Sequence, residues 1–173
     1  FKPGRTVVPP SGKVIGAREL QYMVEASLDG WLTTGRFNRR FEKELSVFIG
    51  IKHLITVNSG SSANLLAISC LTNPLSINRL TNGDEVIIPA VCWSTSLWPL
   101  IQNNLKPVFA DVDPDSFNID PNQIEAKITP RTKAIITVSL YGLPPDLEKI
   151  EILAKKYNLK IIDYHSDIYF HKK

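Results

Sequence analysis

From about residue 50 onward, short β-branched runs alternate with segments of helical periodicity, and that alternation restricts the chain to a parallel α/β architecture. Strands are predicted near residues 53–58, 85–89, 107–111, 133–138 and 160–163. The helices between them begin near Ser61, Ser94, Pro121 and Asp146, each with a capping residue at or just before its start. The expected fold class is therefore α/β, a mostly parallel sheet with flanking helices. Upstream, residues 17–29 and 37–49 read as two amphipathic helices around the loop Gly30-Trp-Leu-Thr-Thr-Gly35. Residues 1–50 form an N-terminal helical segment and 51–173 an α/β domain.

Within that frame, Thr56-Val-Asn-Ser-Gly-Ser-Ser-Ala-Asn-Leu-Leu66 runs a β-branched segment through a Ser/Gly turn into a helix. Several backbone N–H groups without helical partners converge at such a junction, and the helix dipole adds positive potential there. Small side chains at Ser59, Gly60, Ser61, Ser62 and Ala63 let an anion come close, and the hydroxyls of Ser61 and Ser62 add donors. A plain serine N-cap opening a buried helix fits the same residues.

Composition removes several alternatives. A net charge of +3 without a block of basic residues gives no reason to expect nucleic acid or an acidic membrane surface as a partner. No apolar run approaches the roughly 20 residues that cross a bilayer, and Phe1-Lys-Pro-Gly-Arg5 lacks the apolar core of a secretion signal, so a cytosolic location is expected. Cys70 and Cys92 are too few for a disulfide scaffold and are expected in the core. Asp111, Asp113, Asp115 and Asp120 follow no calcium-loop spacing, so no metal site is assigned.

The Ser/Gly turn, together with Phe41-Glu-Lys-Glu-Leu45, Gly83-Asp-Glu-Val-Ile-Ile-Pro-Ala90, Lys106-Pro-Val-Phe-Ala-Asp-Val-Asp-Pro114 and Thr132-Lys-Ala-Ile-Ile-Thr-Val138, resembles the DegT/DnrJ/EryC1/StrS family of sugar aminotransferases and dehydratases. That family uses pyridoxal phosphate in the aspartate-aminotransferase fold. The runs Val7-Val-Pro-Pro-Ser-Gly-Lys-Val-Ile-Gly16 and Trp31-Leu-Thr-Thr-Gly-Arg-Phe-Asn38 look closest to the CDP-4-keto-6-deoxyglucose 3-dehydratases of lipopolysaccharide sugar synthesis. The resemblance runs to about Ile162 and corresponds to the N-terminal part of a member, the first part of its large domain. It implies pyridoxal or pyridoxamine phosphate as cofactor, a nucleotide-linked deoxysugar as substrate and a homodimer. Ser139-Leu-Tyr-Gly-Leu-Pro-Pro145 looks more like the aminotransferases in general, which keeps that reaction open.

Carried over residue by residue, the resemblance assigns the phosphate cradle to Gly60, Ser61 and Ser62 and the aromatic lid over the ring to Trp93, while Trp98 is structural. Thr34, Gly35 and Arg36 border the nucleotide sugar or the neighbouring subunit, and Tyr141-Gly142 shapes the pocket floor. Aligned through Lys156-Tyr-Asn-Leu159, the family's ring-nitrogen aspartate falls on Tyr164, with Asp163 one residue early. Strand side chains alternate faces, so Asp163 reaches the ring only if the strand end is bulged. Asp167 matches a carboxylate near the cofactor's phenolic oxygen, and His165 faces ligand or solvent. The Schiff-base lysine of aminotransferases, the histidine that replaces it in the dehydratase branch, and the iron–sulfur cysteines of that branch would all lie beyond Lys173. Residues 164–173 depart from the pattern, as a frameshift or truncation would make them, so a non-catalytic remnant is the rival reading.

Overall fold

The computed structural model describes residues 2–7 and 14–165 and divides into two compact units, Phe1–Ile55 and Thr56–Lys173. In the first, helix α1 (Ala17–Leu28) opens with a Glu19 carboxylate accepting from the Gly16 N–H at 2.7 Å. Helix α2 (Arg36–Ile49) closes on Gly50, whose φ of 74° is the left-handed conformation that glycine adopts without penalty. Tyr22 of α1 meets Phe37 of α2, ring centroids 5.5 Å apart.

The second unit is built on a four-stranded, wholly parallel sheet in the order β2-β1-β3-β4: β1 (Glu85–Pro89), β2 (Lys106–Ala110), β3 (Thr132–Val138) and β4 (Lys160–Tyr164). Helices α3 (Gly60–Thr72), α4 (Ser94–Gln102), α5 (Pro121–Lys127) and α6 (Leu147–Tyr157) flank it. The central strands are apolar without interruption, Val86-Ile-Ile88 and Ala134-Ile-Ile136, because parallel strands are covered on both faces. One face gathers Val86, Ile88, Ala134, Ile136, Val138, Ile162 and Tyr164 against Ile68 of α3 and Leu100 of α4. The other gathers Ile87 and Ile135 against Ile124 of α5 and Ile150 and Ala154 of α6. Pro107, which cannot donate to a ladder, sits in β2 at the sheet edge.

Two expectations are corrected. The segment 53–58 forms no strand: it has the alternation of one, but no described strand pairs with it. Cys70 is exposed rather than buried, because only Ile68 of α3 is fully covered, while Cys92 is half-buried against the first core face. Among the described residues no helix is long and apolar enough to cross a membrane.

Candidate functional site at the carboxyl ends of the strands

From β1 the chain steps to β2 through α4 on one face, then passes back through α5 on the other to β3 and onward to β4. The direction of winding therefore reverses between β1 and β3. Open parallel sheets place their ligands in the crevice outside the strand carboxyl ends at such a reversal.

The first core face brings several predicted site residues to that end. Ser59 caps α3, its Oγ accepting from the Ser62 N–H at 3.2 Å. Among the described residues nothing accepts from the amide N–H groups of Gly60 and Ser61. A Cβ added at Gly60 would meet nothing within 4 Å, and the glycine has no positive φ, so neither strain nor packing requires it. The helix thus presents two available donors beside open space, the arrangement that receives a phosphate. Asn64 Nδ2 donates to the Thr95 carbonyl at 3.4 Å, which sets the start of α3 beside the start of α4. Trp93 caps α4 without a side-chain bond and is 74% exposed, so its ring is a surface group and not core. Trp98 is 55% exposed and does not fill the core either.

The end of β4 settles which side chains face this corner. The β3–β4 register runs from Ala134↔Lys160 to Val138↔Tyr164 with no bulge. Tyr164 shares its face with Ile162, in the cluster of Ile68 and Cys92. Asp163 is turned to the opposite face, where Oδ1 accepts from Thr137 Oγ1 at 2.5 Å and Oδ2 lies 2.7 Å from His165 Nε2. The bulge that would have brought Asp163 toward the α3 terminus does not occur, and strand alternation places the carboxylate on the wrong side of the sheet. His165 Nδ1 is 3.3 Å from Ser139 Oγ, so this histidine belongs to a Thr137–Asp163–His165–Ser139 chain. Asp167 lies outside the described residues.

The alignment reading of Tyr164 as a departure missed a physical feature. Its Oη is the buried side-chain polar atom left without a hydrogen bond among the described residues. Burial, with the Cys92 sulfur adding to it, pushes the phenol up to about 12, so it stays a neutral donor at any physiological pH. Its shared parity with the apolar Ile162 was the sequence signal for its face.

Beside this corner, Tyr141 adopts a left-handed φ of 54° and is 82% exposed. Buried Asn118 holds the turn, donating to the Leu143 carbonyl at 2.9 Å and accepting from the Leu140 N–H at 3.3 Å. The carboxylates near α5 serve turns and a cap: Asp113 accepts from the Asp115 and Ser116 amides, and Asp120 from that of Asn122.

Thr34, Gly35 and Arg36 belong to the N-terminal unit, where they line a hollow of about 370 Å³ with Trp31, Thr33 and Asn38. Trp31 Nε1 donates to the Thr34 carbonyl at 3.0 Å, and Gly35 is the α2 cap. Arg36 is engaged by both Asp29 oxygens, at 2.8 and 3.2 Å, and its guanidinium stacks 4.3 Å from the Phe37 ring centroid. Its charge is already partnered, so an anionic ligand in the hollow would share it with Asp29.

The chain is 56% identical over 164 residues to the lipopolysaccharide biosynthesis protein RfbH of Salmonella typhimurium, covering 94% of this chain and 38% of that protein. It is 42% identical over 168 residues to dTDP-4-dehydro-2,6-dideoxy-D-glucose 3-dehydratase of Saccharopolyspora spinosa, covering 96% and 36%. A crystal structure of GDP-4-keto-6-deoxymannose-3-dehydratase with a trapped PLP–glutamate geminal diamine superposes with a TM-score of 0.84 at 32% identity, over 90% of this chain and 40% of that one. The chain thus spans under two-fifths of the length of these two curated relatives. With residues 13–165 matching its model, the chain belongs to the DegT/DnrJ/EryC1/StrS aminotransferase family.

Proposed function

We propose that this chain is the N-terminal portion of a pyridoxal- or pyridoxamine-phosphate-dependent enzyme that removes the C3 hydroxyl of a nucleotide-linked 4-keto-6-deoxy sugar, working as a cytoplasmic homodimer. The observation that carries the reading is the meeting, at one corner of the sheet, of the free Gly60 and Ser61 amides and the exposed Trp93 ring. Similarity to a 3-dehydratase at 42% identity favours dehydration.

The chain's own residues divide the work. Gly60 and Ser61 N–H groups, with the Ser61 and Ser62 hydroxyls, hold the phosphate dianion at the positive end of α3. The Ser62 amide joins them only by exchanging its bond to Ser59 Oγ. Trp93 offers a flat apolar face that covers the ring and keeps water off it. Thr34, Gly35 and Arg36 bind the nucleotide sugar or the neighbouring subunit, Arg36 by sharing its guanidinium with Asp29. By resemblance alone, Asp167 would supply a carboxylate near the ring's phenolic oxygen. When bound, the coenzyme supplies an electron-withdrawing ring that makes proton removal and hydroxyl departure possible. Transamination of the same class of substrate is the second reading, favoured by 39% identity to dTDP-3-amino-3,6-dideoxy-alpha-D-galactopyranose transaminase of Aneurinibacillus thermoaerophilus.

Calorimetric titration of the purified chain with pyridoxamine phosphate tests the site. Binding is expected, with inorganic phosphate competing, and Gly60→Ala should weaken it about tenfold or more, roughly 1.4 kcal/mol. The same variant should leave folding intact or slightly improved, since alanine favours a helix over glycine. Equal affinity for wild type and Gly60→Ala would remove α3 from the cofactor site.

A further inference from the structure

A buried hydroxyl that bonds to nothing is costly, and native structures retain one only where something supplies its partner. Among the described residues Tyr164 Oη is such a group, on a side chain 9% exposed at the last position of β4. It stands on the sheet face that carries α3 and α4, in the cluster with Ile68 and Cys92, next in sequence to Trp93. The same end of the sheet carries the start of α3, where among the described residues nothing accepts from the Gly60 and Ser61 amides and the space beside Gly60 is open. These are separate observations: the helix terminus calls for an anion, and the phenol calls for a neutral acceptor at the apolar side.

We propose that Tyr164 is the ring-nitrogen partner of the cofactor in this chain, its Oη donating a hydrogen bond to the pyridine nitrogen. This rests on the cofactor reading given above and deepens it. The aromatic nitrogen is the neutral acceptor that a pyridoxal-type ring carries, and the phenol is held protonated by its apolar surroundings, so the bond runs from oxygen to nitrogen. A carboxylate in this place would hold a proton on the nitrogen; a neutral phenol leaves the nitrogen without one. Asp163 cannot take that part, being bonded to Thr137 and His165 on the other face. The ring so held withdraws electrons less strongly than a protonated one, which sets this chain apart from a member with aspartate at the position.

The experiment uses the full chain and ¹⁵N-labelled pyridoxamine phosphate at neutral pH, with Tyr164→Phe and Tyr164→Asp beside wild type. Expected are an unprotonated ring-nitrogen signal in wild type, a protonated one in Tyr164→Asp, and affinity reduced about tenfold in Tyr164→Phe. Without ligand, Tyr164→Phe should melt higher than wild type, because the orphan hydroxyl is gone and the ring remains. A purely structural tyrosine would not couple a gain in unliganded stability to a loss in binding. A protonated nitrogen in wild type, or unchanged affinity in Tyr164→Phe, would overturn the assignment while leaving the cofactor reading in place. Absence of any binding to wild type would overturn both.

Discussion

Glu85 shows how a single residue secures the site from the far end of the sheet. Its side chain is only 3% exposed, yet it accepts from Thr129 Oγ1 at 2.5 Å and pairs with Lys106 and Arg131 at 3.1 and 3.0 Å. Those partners come from the amino ends of β2 and β3, so one carboxylate ties together three strands whose opposite ends border the candidate site. The Thr129 hydroxyl first, and then Lys106, hold the Glu85 carboxyl at about 2, below its usual 4.5. A depressed carboxylate contributes stability above its unfolded value and loses it as pH falls through the folded one. The expected result is that Glu85→Gln destabilises the chain by about 1–3 kcal/mol at neutral pH. Lys106 and Arg131 are more than half exposed and return to water, which keeps the loss below that of a stranded buried charge. Urea unfolding should show the gap between wild type and Glu85→Gln constant above about 4.5 and closing as pH approaches about 2. A gap that persists in acid would assign the contribution to shape rather than charge.

At the scale of elements, protection should follow position in the sheet. Strands β1 and β3 are paired on both sides, β2 and β4 on one. Hydrogen exchange followed by mass spectrometry should find β1 and β3 amides slowest, β2 and β4 intermediate, and His53–Ile55 exchanged at the earliest times. Slow exchange at His53–Ile55 would mean that this segment has found a ladder. The same contrast explains what was legible in the sequence. Strands β1 and β3 announce themselves because burial on both faces writes continuous apolar runs, and α5 and α6 because Asp120 and Asp146 cap them locally. The segment 53–58 carries the same local pattern, but a strand needs a partner, and periodicity does not report one. The serine-capped start of α3 is local chemistry and could be read directly. The side toward which Asp163 points depends on register with β3, and the orphaned state of Tyr164 depends on packing from α3 and the Cys92 loop, so neither could be read from neighbours in sequence.

For the molecule as a whole, the balance of covered and uncovered apolar surface sets its behaviour in solution. In the second unit, α3 exposes Leu65 and Leu66, and α4 exposes Trp98 and Ile101 beside Trp93. In the first, Leu20, Met23, Val24 and Leu28 are all at least half exposed along α1, and Tyr22, Met23, Phe37 and Phe41 line a groove of about 350 Å³. Single exposed apolar residues are ordinary, but runs of them along whole helices exceed what monomeric proteins leave in water. The outer edge of β4 adds a row of backbone groups that no described strand pairs. Burial of these surfaces against a second copy removes them from water at about 25 cal/mol per Å² of apolar area, an incentive that polar edges alone would not give. The chain by itself is therefore expected to self-associate or to be sparingly soluble. Sedimentation velocity across a concentration series should show species heavier than the 19.4 kDa chain, growing with concentration. Replacing Leu65 and Leu66 with glutamine should shift that distribution toward monomer while lowering the free energy of unfolding by no more than about 1 kcal/mol, since both side chains already meet solvent. A compact, fully soluble monomer at all concentrations would mean that the exposed helices are covered within one copy of the chain.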